Sequence, residues 1–266
     1  MLRPLVALAC VAALGSAVGT AQPVSPSREI AAAVASPSRT PANRERDRYR
    51  HPAETLAFFG VLPTHTVVEF SPGAGWYTEI LAPLVKERGR YIAWTSTAGA
   101  ERTRTMLAGK SAVYGATTVA TMDFATGAST VAPGSADVVL TFRNVHNMLM
   151  SPNPQAPAGA FAAFYAALKP GGVLGVVDHR LPEEMDSALE KSSGYIKRST
   201  VVRLAEQAGF RLAGESAVNA NPKDTHDHPE GVWTLPPTFA LKDVDRAKYA
   251  AIGESDRFTL KFVKPR

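Results

Sequence analysis

The stretch from Thr66 to Val85, TVVEFSPGAGWYTEILAPLV, decides the fold of this chain. Its first residues form a short apolar, β-branched run that contains Glu69 and predicts a buried strand. The SPGAG segment at residues 71–75 cannot continue a strand, because proline lacks an N–H donor and glycine invites unusual backbone angles. Apolar positions at helical spacing follow from Trp76 to Val85. Open α/β sheets bind ligands at such strand–loop–helix units, where the two glycines let a ligand lie against bare backbone N–H groups.

Length and composition indicate one globular domain with appendages. The chain has 266 residues, of which 45% are apolar and 20% charged, which suits a soluble core. The net charge is +5, and the basic residues are scattered except in RERDRYR at residues 44–50. Because basic and acidic residues alternate there, we interpret the run as a solvated helix face and predict no nucleic-acid partner.

Residues 1–21 have the pattern of a cleavable signal peptide. Arg3 supplies the positive charge, residues 5–18 form an apolar run too short and too alanine-rich for a membrane span, and Ala21 ends a small-x-small cleavage site. A lipoprotein interpretation of Cys10 is weaker, because almost no apolar run precedes it. Cleavage would remove Cys10, the single cysteine, and would exclude disulfides, thiolate metal sites and cysteine nucleophiles. We expect a periplasmic or secreted protein without a membrane span.

Two further regions follow the signal. Residues 22–42 carry four prolines with many Ser and Ala and predict a flexible leader with one short helix at residues 28–35. Residues 43–266 form the expected domain. Strands are predicted at residues 66–70, 90–95, 117–122, 136–142, 173–178, 210–218 and 257–263. Helices are predicted at 44–61 (interrupted before Pro52), 76–85, 101–110, 158–168 and 199–208. Apolar strands alternating with helices predict a parallel sheet covered on both faces.

Several segments together resemble the ordered motifs of class I S-adenosylmethionine-dependent methyltransferases. They are Glu69-x-Ser71-x-Gly73-x-Gly75, Asp123-Phe124, DVVL at 137–140, the LKPGG turn at 168–172 and AEQAGF at 205–210. Within that family, the chain is most similar to a bacterial group of exported predicted methyltransferases, through residues 69–78, 143–146 and 177–180. The resemblance covers about residues 44–264. It implies a Rossmann-like, seven-stranded, mostly parallel sheet with an antiparallel last strand and helices on both faces.

The resemblance implies S-adenosylmethionine as cofactor and methyl transfer to an acceptor, a step helped mostly by positioning. Glu69 would lie near the cationic end of the cofactor. Ser71, Gly73 and Gly75 would form the loop that the methionine part and the ribose approach. The acceptor itself is not identified, although a small molecule is expected, and the oligomeric state is not predicted.

The remaining cofactor residues follow the second and third strands. Asp123 would accept from the adenine amino group, with Phe124 beside the ring. In this family the second strand usually ends in an acidic residue that binds both ribose hydroxyls, but here it ends in Thr95, which is uncharged and accepts fewer hydrogen bonds. This departure and the expected export leave an alternative open: a non-catalytic or repurposed exported ligand-binding protein with a methyltransferase fold.

Candidate catalytic residues follow the fourth and fifth strands. Asn144 could bind cofactor or substrate, and His146 could act as a general base near neutral pH, although both could also belong to a hydrogen-bonded loop. Asp178 and His179 are neighbours on a strand and point to opposite faces, so we do not expect them to pair directly. A pairing of His146 with Asp178 or His179 across neighbouring strands is more plausible.

Two residues are candidates for substrate binding and one cluster for metal binding. Arg143 and Tyr195 could contact the acceptor. His226-Asp227-His228 has metal-ligand residue types, but its short loop context and lack of a further ligand favour a solvated loop. No metal site is therefore predicted.

Overall fold

An open sheet of eight strands forms the centre of the molecule, for which the computed structural model describes residues 24–123 and 126–266. The strands are β1 (Thr66–Phe70), β2 (Arg90–Ser96), β3 (Thr117–Met122), β4 (Ala136–Phe142), β5 (Leu168–Leu181), β6 (Ile196–Lys197), β7 (Arg211–Ser216) and β8 (Arg257–Val263). Their order is β3-β2-β1-β4-β5-β8-β7, with β6 paired to β5. All pairs are parallel except those of β8 with β5 and β7. The predicted fold class is confirmed, and the two-residue β6 is an addition to the seven strands expected.

Helices occupy the connections and cover both faces. They are α1 (Arg28–Ala35), α2 (Pro41–Arg44), α3 (Asp47–Arg50), α4 (Pro52–Phe59), α5 (Thr78–Val85), α6 (Ala100–Ala108), α7 (Ser111–Tyr114), α8 (Val145–Leu149), α9 (Ala156–Ala167), α10 (Arg198–Gln207) and α11 (Arg246–Ile252). Short 3₁₀ helices lie at Thr97–Gly99, Ser187–Lys191 and Gly231–Thr234. The strands β1, β3, β4 and β8 and the helix α1 have the predicted bounds.

Each face of the sheet has its own apolar core, because successive strand residues point to opposite sides. On β1, Val67 packs in a core with residues of α1, α4 and α5, whereas Val68 packs in a core with residues of α9 and α10. Both side chains are fully buried. The strand order reverses beside β1, with β2 on one side and β4 on the other. The carboxyl ends of β1 and β4 therefore meet at a switch point, where open α/β sheets bind ligands.

Two local predictions need correction. The LKPGG segment, expected as a turn, lies within β5, which starts at Leu168. The N–H of Gly171 donates to the Lys264 carbonyl at 2.8 Å, and the Lys264 N–H donates to the Gly172 carbonyl at 2.9 Å. Pairing with the end of the chain thus overrides the local turn preference. In addition, α5 begins only at Thr78, because residues 73–77 form consecutive turns rather than the first turn of the helix.

The described part of the expected leader is in contact with the domain. Ile30 of α1 is 2% exposed, Arg39 pairs with Asp47 at 2.7 Å, and the Thr40 N–H donates to the Glu79 carboxylate at 3.0 Å. The flexibility of this segment and a domain boundary at residue 43 stay predictions, and the expected signal peptide lies outside the described residues. None of the helices in the described part of the chain is long and apolar enough to cross a membrane.

Candidate active site

A cleft of about 330 Å³ opens at the carboxyl ends of β1 and β4. One wall is the loop at residues 71–74, and another is the segment at residues 142–147 that follows β4. The other walls come from residues around α2 and α3 and from residues 232–238. The cleft therefore lies at the sheet edge where the sequence predicted a ligand site.

The loop after β1 presents bare backbone to this cleft at one of its two glycines. Gly73 has φ +60°, and a Cβ added there would meet nothing within 4 Å. Gly75 has φ +83°, and a Cβ there would lie 2.9 Å from Met106 Sδ. Gly73 thus faces open space, whereas Gly75 permits the close approach of α6. Ser71 also takes a left-handed conformation, with φ +54°, and its N–H donates to the Trp94 carbonyl at 2.7 Å.

Glu69 lies at the floor of the cleft with a buried carboxylate. Its Oε2 atom accepts hydrogen bonds from the Tyr91 hydroxyl at 2.6 Å and the Thr78 hydroxyl at 2.8 Å. Burial raises the pKa of Glu69 to about 7, and these two hydrogen bonds oppose the rise. Oε1 receives no hydrogen bond from the described residues, so it can accept one from a cationic or hydroxyl group in the cleft.

His146 and Asp178 form a hydrogen-bonded pair across β4 and β5. The distance from His146 Nδ1 to Asp178 Oδ1 is 2.7 Å, and both side chains are buried. Asp178 also accepts the backbone N–H groups of Val145 and His179, each at 2.8 Å. A carboxylate only accepts, so His146 donates from Nδ1, and in the neutral form of the ring Nε2 carries a lone pair. The cross-strand pairing expected from the sequence is present, and His146 lines the cleft.

His179 stands beside this pair, with its ring centroid 5.0 Å from that of His146. Its Nδ1 atom is 2.5 Å from Ser255 Oγ. Burial lowers the pKa of His179 well below its ordinary value, and the positive charges of Arg257 and Arg143 add to the effect. Together with Asp178, the two histidines could offer three metal ligands within 4.8 Å of one another. The same positive surroundings oppose a cation, so we favour proton transfer over metal binding for this group.

Arg143 and Asn144 connect the loop to β4. Arg143 has φ +61° and lines the cleft. The side-chain amide of Asn144 donates to the carbonyls of Phe70 at 3.1 Å and Phe142 at 3.2 Å, which ties the ends of β1 and β4 together. Asn144 also lines a second cavity of about 220 Å³, which shares Ser71 and Asn147 with the cleft.

Five of the described residues proposed for the site line neither cavity; one is Asp178, which lies behind His146. Thr95 is 7% exposed at the end of β2, and Gly75 packs against α6. Asp123 follows β3 and is exposed. Tyr195 is fully buried, and its hydroxyl donates to Asp224 Oδ2 at 3.0 Å. Phe124 lies outside the described residues.

No family model matches the chain, and no curated protein matches it either. Several solved structures are similar to the chain. A SAM-dependent methyltransferase from Aquifex aeolicus is 16% identical with a TM-score of 0.55, covering 83% of this chain and 93% of its own. The arsenic(III) S-adenosylmethionine methyltransferase CrArsM from Chlamydomonas reinhardtii is 17% identical with a TM-score of 0.54, covering 91% and 74%. The fold is that of S-adenosylmethionine-dependent methyltransferases. The [4+2]-cyclase SpnF is also similar, at 16% identity and a TM-score of 0.56, covering 84% and 82%. Identities this low show the fold alone.

An arginine cluster on this methyltransferase fold was missed by the sequence analysis. Arg46, Arg50 and Arg257 all contact the buried carboxylate of Glu254, the first two at 2.6 and 3.0 Å. All three arginines line the cleft with Arg143. The solvated helix face expected for residues 44–50 is therefore wrong for Arg50, which is 3% exposed. The spacing of four between Arg46 and Arg50 was a signal, since residues one helical turn apart share a face. Nothing local pointed to Glu254.

The histidines near residue 226 also differ from the expectation of a solvated loop. His228 Nε2 lies 2.8 Å from Asp224 Oδ1, and its side chain is 5% exposed. His226 Nε2 lies 3.4 Å from Asp256 Oδ2. These histidines belong to the polar network around Tyr195, whose pKa is raised by burial and by the charge of Asp224.

Proposed function

We propose that this protein is an S-adenosylmethionine-dependent methyltransferase that acts on a small-molecule acceptor. The observation that carries the proposal is the bare backbone at Gly73, which opens into a cleft at the β1–β4 switch point beside the His146–Asp178 pair. Membership of the exported bacterial group, and a periplasmic or secreted location, are parts of the same proposal. A fusion reporter at the carboxyl end tests the location: activity confined to the cytoplasm contradicts export.

The residues around Gly73 fit the methionine end of the cofactor. Backbone of the loop can approach the ligand closely, and the free Oε1 atom of Glu69 can accept from the ammonium group. When bound, the cofactor supplies an electrophilic methyl group on its sulfonium. Thr95 and Asp123, expected near the ribose and adenine, line neither cavity, so we assign only the methionine end to this cleft.

His146 would act as the general base for the methyl acceptor. Its Nε2 lone pair can take the proton that a hydroxyl or ammonium acceptor must lose before or during methyl transfer. Asp178 holds the imidazole ring in place and stabilises the charge that forms on it. His179, whose pKa burial lowers well below its ordinary value, stays neutral at pH 7 and adds no competing positive charge beside the base.

A second candidate is a ligand-binding protein that keeps the methyltransferase fold without methyl transfer. The close packing of Met106 against Gly75 and the position of Thr95 outside the cavities favour it. The proposed export would favour it as well, because S-adenosylmethionine is a cytoplasmic metabolite. The similarity to the [4+2]-cyclase SpnF is consistent with a changed use of this fold.

Calorimetry with S-adenosylhomocysteine separates the two candidates. We expect the purified protein to bind it, and Gly73→Val to abolish binding, because a branched side chain would cover the bare backbone. Gly134→Val is the matched control: Gly134 has φ +62°, and a Cβ added there would meet nothing within 4 Å, but it precedes β4 at the opposite edge of the sheet. No binding by the unchanged protein at millimolar concentration contradicts the enzyme, and equal binding by both variants contradicts the placement of the cofactor.

A further inference from the structure

The cleft holds more positive charge than its carboxylates balance. Arg46, Arg50 and Arg257 share one carboxylate, that of Glu254. Arg143 lines the same cleft, and no described residue accepts a hydrogen bond from its guanidinium or forms an ion pair with it. Four arginine charges face two carboxylates, those of Glu254 and Glu69, which leaves an excess of at least two positive charges around the cleft. Charges that are removed from water are costly unless they are paired.

The hydrogen-bond donors of the cluster are also incompletely used. Arg46 Nη2, Arg50 Nη2 and Arg257 Nε are buried and have no acceptor among the described residues. Arg50 and Arg257 are only 3% and 2% exposed. Buried donors in native proteins almost always have a partner, so these three atoms show that the hydrogen-bonding capacity of the cluster is not used up by the described residues.

The pKa shifts of Arg143 and Glu254 agree with an excess of positive charge in the cleft. Burial lowers the pKa of Arg143 to about 10, and the charge of Arg257 acts in the same direction. Burial alone would raise the pKa of Glu254, but the charges of Arg257, Arg50 and Arg46 outweigh it and lower that pKa well below its ordinary value. Glu254 therefore stays ionised and is saturated by its partners, so it cannot balance Arg143 as well.

The methyl donor cannot supply the missing negative charge. S-adenosylmethionine carries a sulfonium, an ammonium and a single carboxylate, so its binding adds one positive charge overall. The arginines moreover lie beside the proposed base, because His179, next to His146, is within electrostatic range of Arg257, Arg143 and Arg50. A ligand that gives its proton to His146 must bind at that place.

We propose that the methyl acceptor is an anionic small molecule, whose carboxylate or phosphate group binds to Arg143 and to the arginines around Glu254. This inference rests on the proposed methyltransferase function. Arginine suits it, because the guanidinium fork binds carboxylate and phosphate oxygens in pairs. The anionic group anchors the acceptor and leaves its nucleophilic atom facing His146.

Inorganic phosphate is the probe for this site. Calorimetry in a buffer of low ionic strength should show one phosphate bound per chain. Arg143→Gln should weaken binding about tenfold or more, because it removes a charged donor pair, and Arg143→Lys should restore part of it. Arg203→Gln, on the exposed side of α10, is the matched control and should leave binding unchanged. If Arg143→Gln lowers the melting temperature, Arg46→Gln replaces it. No phosphate binding, or equal binding by the Arg143 variants and the control, overturns the proposal.

Competition then separates an acceptor site from a site for the donor's own carboxylate. Phosphate should bind equally well with saturating S-adenosylhomocysteine and with saturating 5′-methylthioadenosine, which lacks the carboxylate. If only S-adenosylhomocysteine displaces phosphate, the arginines bind the donor and the proposal is overturned. If phosphate binds but neither nucleoside does, the methyltransferase function fails, and the assignment to an acceptor fails with it, although the anion site stands.

Discussion

The carboxyl edge of the sheet has two halves that differ in how they meet the cleft. Polar side chains after β1, β4 and β5 converge: Glu69, Arg143 and His146 line one space, and Asp178 supports it from below. After β2 and β3 the corresponding side chains do not converge. Thr95 is packed at the end of its strand, and Asp123 lines neither cavity.

We therefore expect the two halves of the edge to have different roles in ligand binding. The β1–β4–β5 half has a bare loop, an oriented imidazole and excess arginine charge, which together can hold the reactive end of a donor and an anionic acceptor. In the β2–β3 half, Thr95 and Asp123 line neither of the two cavities. Affinity for the donor should therefore depend on the methionine end, and each half can be tested separately.

In the β1–β4–β5 half, we expect the largest loss of stability from a substitution at Asp178. Asp178→Ala removes the acceptor for His146 and for the backbone N–H groups of Val145 and His179 inside the protein. Leaving such donors buried and unpaired should lower the free energy of unfolding by about 3–5 kcal/mol. Urea unfolding measures it, with Asp243→Ala as the exposed control. An equal loss in both variants would mean that the pair contributes nothing to stability.

A second effect in the same half comes from Glu69. Its pKa is about 7 in the folded chain against an ordinary value of 4.5, so the folded state binds more protons than the unfolded state between these values. Stability therefore falls as pH rises through this window, by about 3 kcal/mol in all. We expect Glu69→Gln to lose this slope. The measurement is the difference in unfolding free energy between variant and unchanged protein from pH 5 to pH 8.

Glu79→Gln serves as its control. Burial would raise the pKa of Glu79, but hydrogen bonds from Lys110 and Thr40 outweigh it and lower that pKa. Glu79 is therefore ionised throughout this pH range. The unfolding free energy of Glu79→Gln should depend on pH nearly as that of the unchanged protein does. Parallel curves for Glu69→Gln as well would show that Glu69 is ionised at neutral pH in the folded protein.

Side-chain convergence in the β1–β4–β5 half could be predicted from the sequence, although strand bounds were predicted as well in the other half, at β3. The strand bounds of β1 and β4 follow from apolar periodicity, and parallel strands bring Asn144, His146 and Asp178 to one edge whatever the loops do. The His146–Asp178 pairing needs only the order of β4 and β5. Local pattern and overall topology agree at these positions, which is why the sequence of one chain was sufficient to predict that these side chains meet.

Contacts between distant segments explain what could not be predicted. Glu254 lies 208 residues from Arg46 and 204 from Arg50, and no spacing rule connects segments so far apart. Alternating charge between residues 44 and 50 is typical of a solvated helix, and only the loop before β8 makes it a buried cluster. LKPGG likewise has the composition of a turn, but the end of the chain pairs with it as a strand.

The smallest expected effect tests the second half of the edge at Thr95. Thr95→Val removes the hydroxyl and keeps the shape, and Thr95 lines neither cavity, so we expect the affinity for S-adenosylhomocysteine to change by no more than about twofold. The titration is the one used for Gly73→Val. A loss of about tenfold with an unchanged melting temperature would mean that the ribose is bound by the Thr95 hydroxyl. In that event the β2–β3 half belongs to the cofactor site, with a threonine in place of the usual acid, and the repurposed binding protein loses its main support.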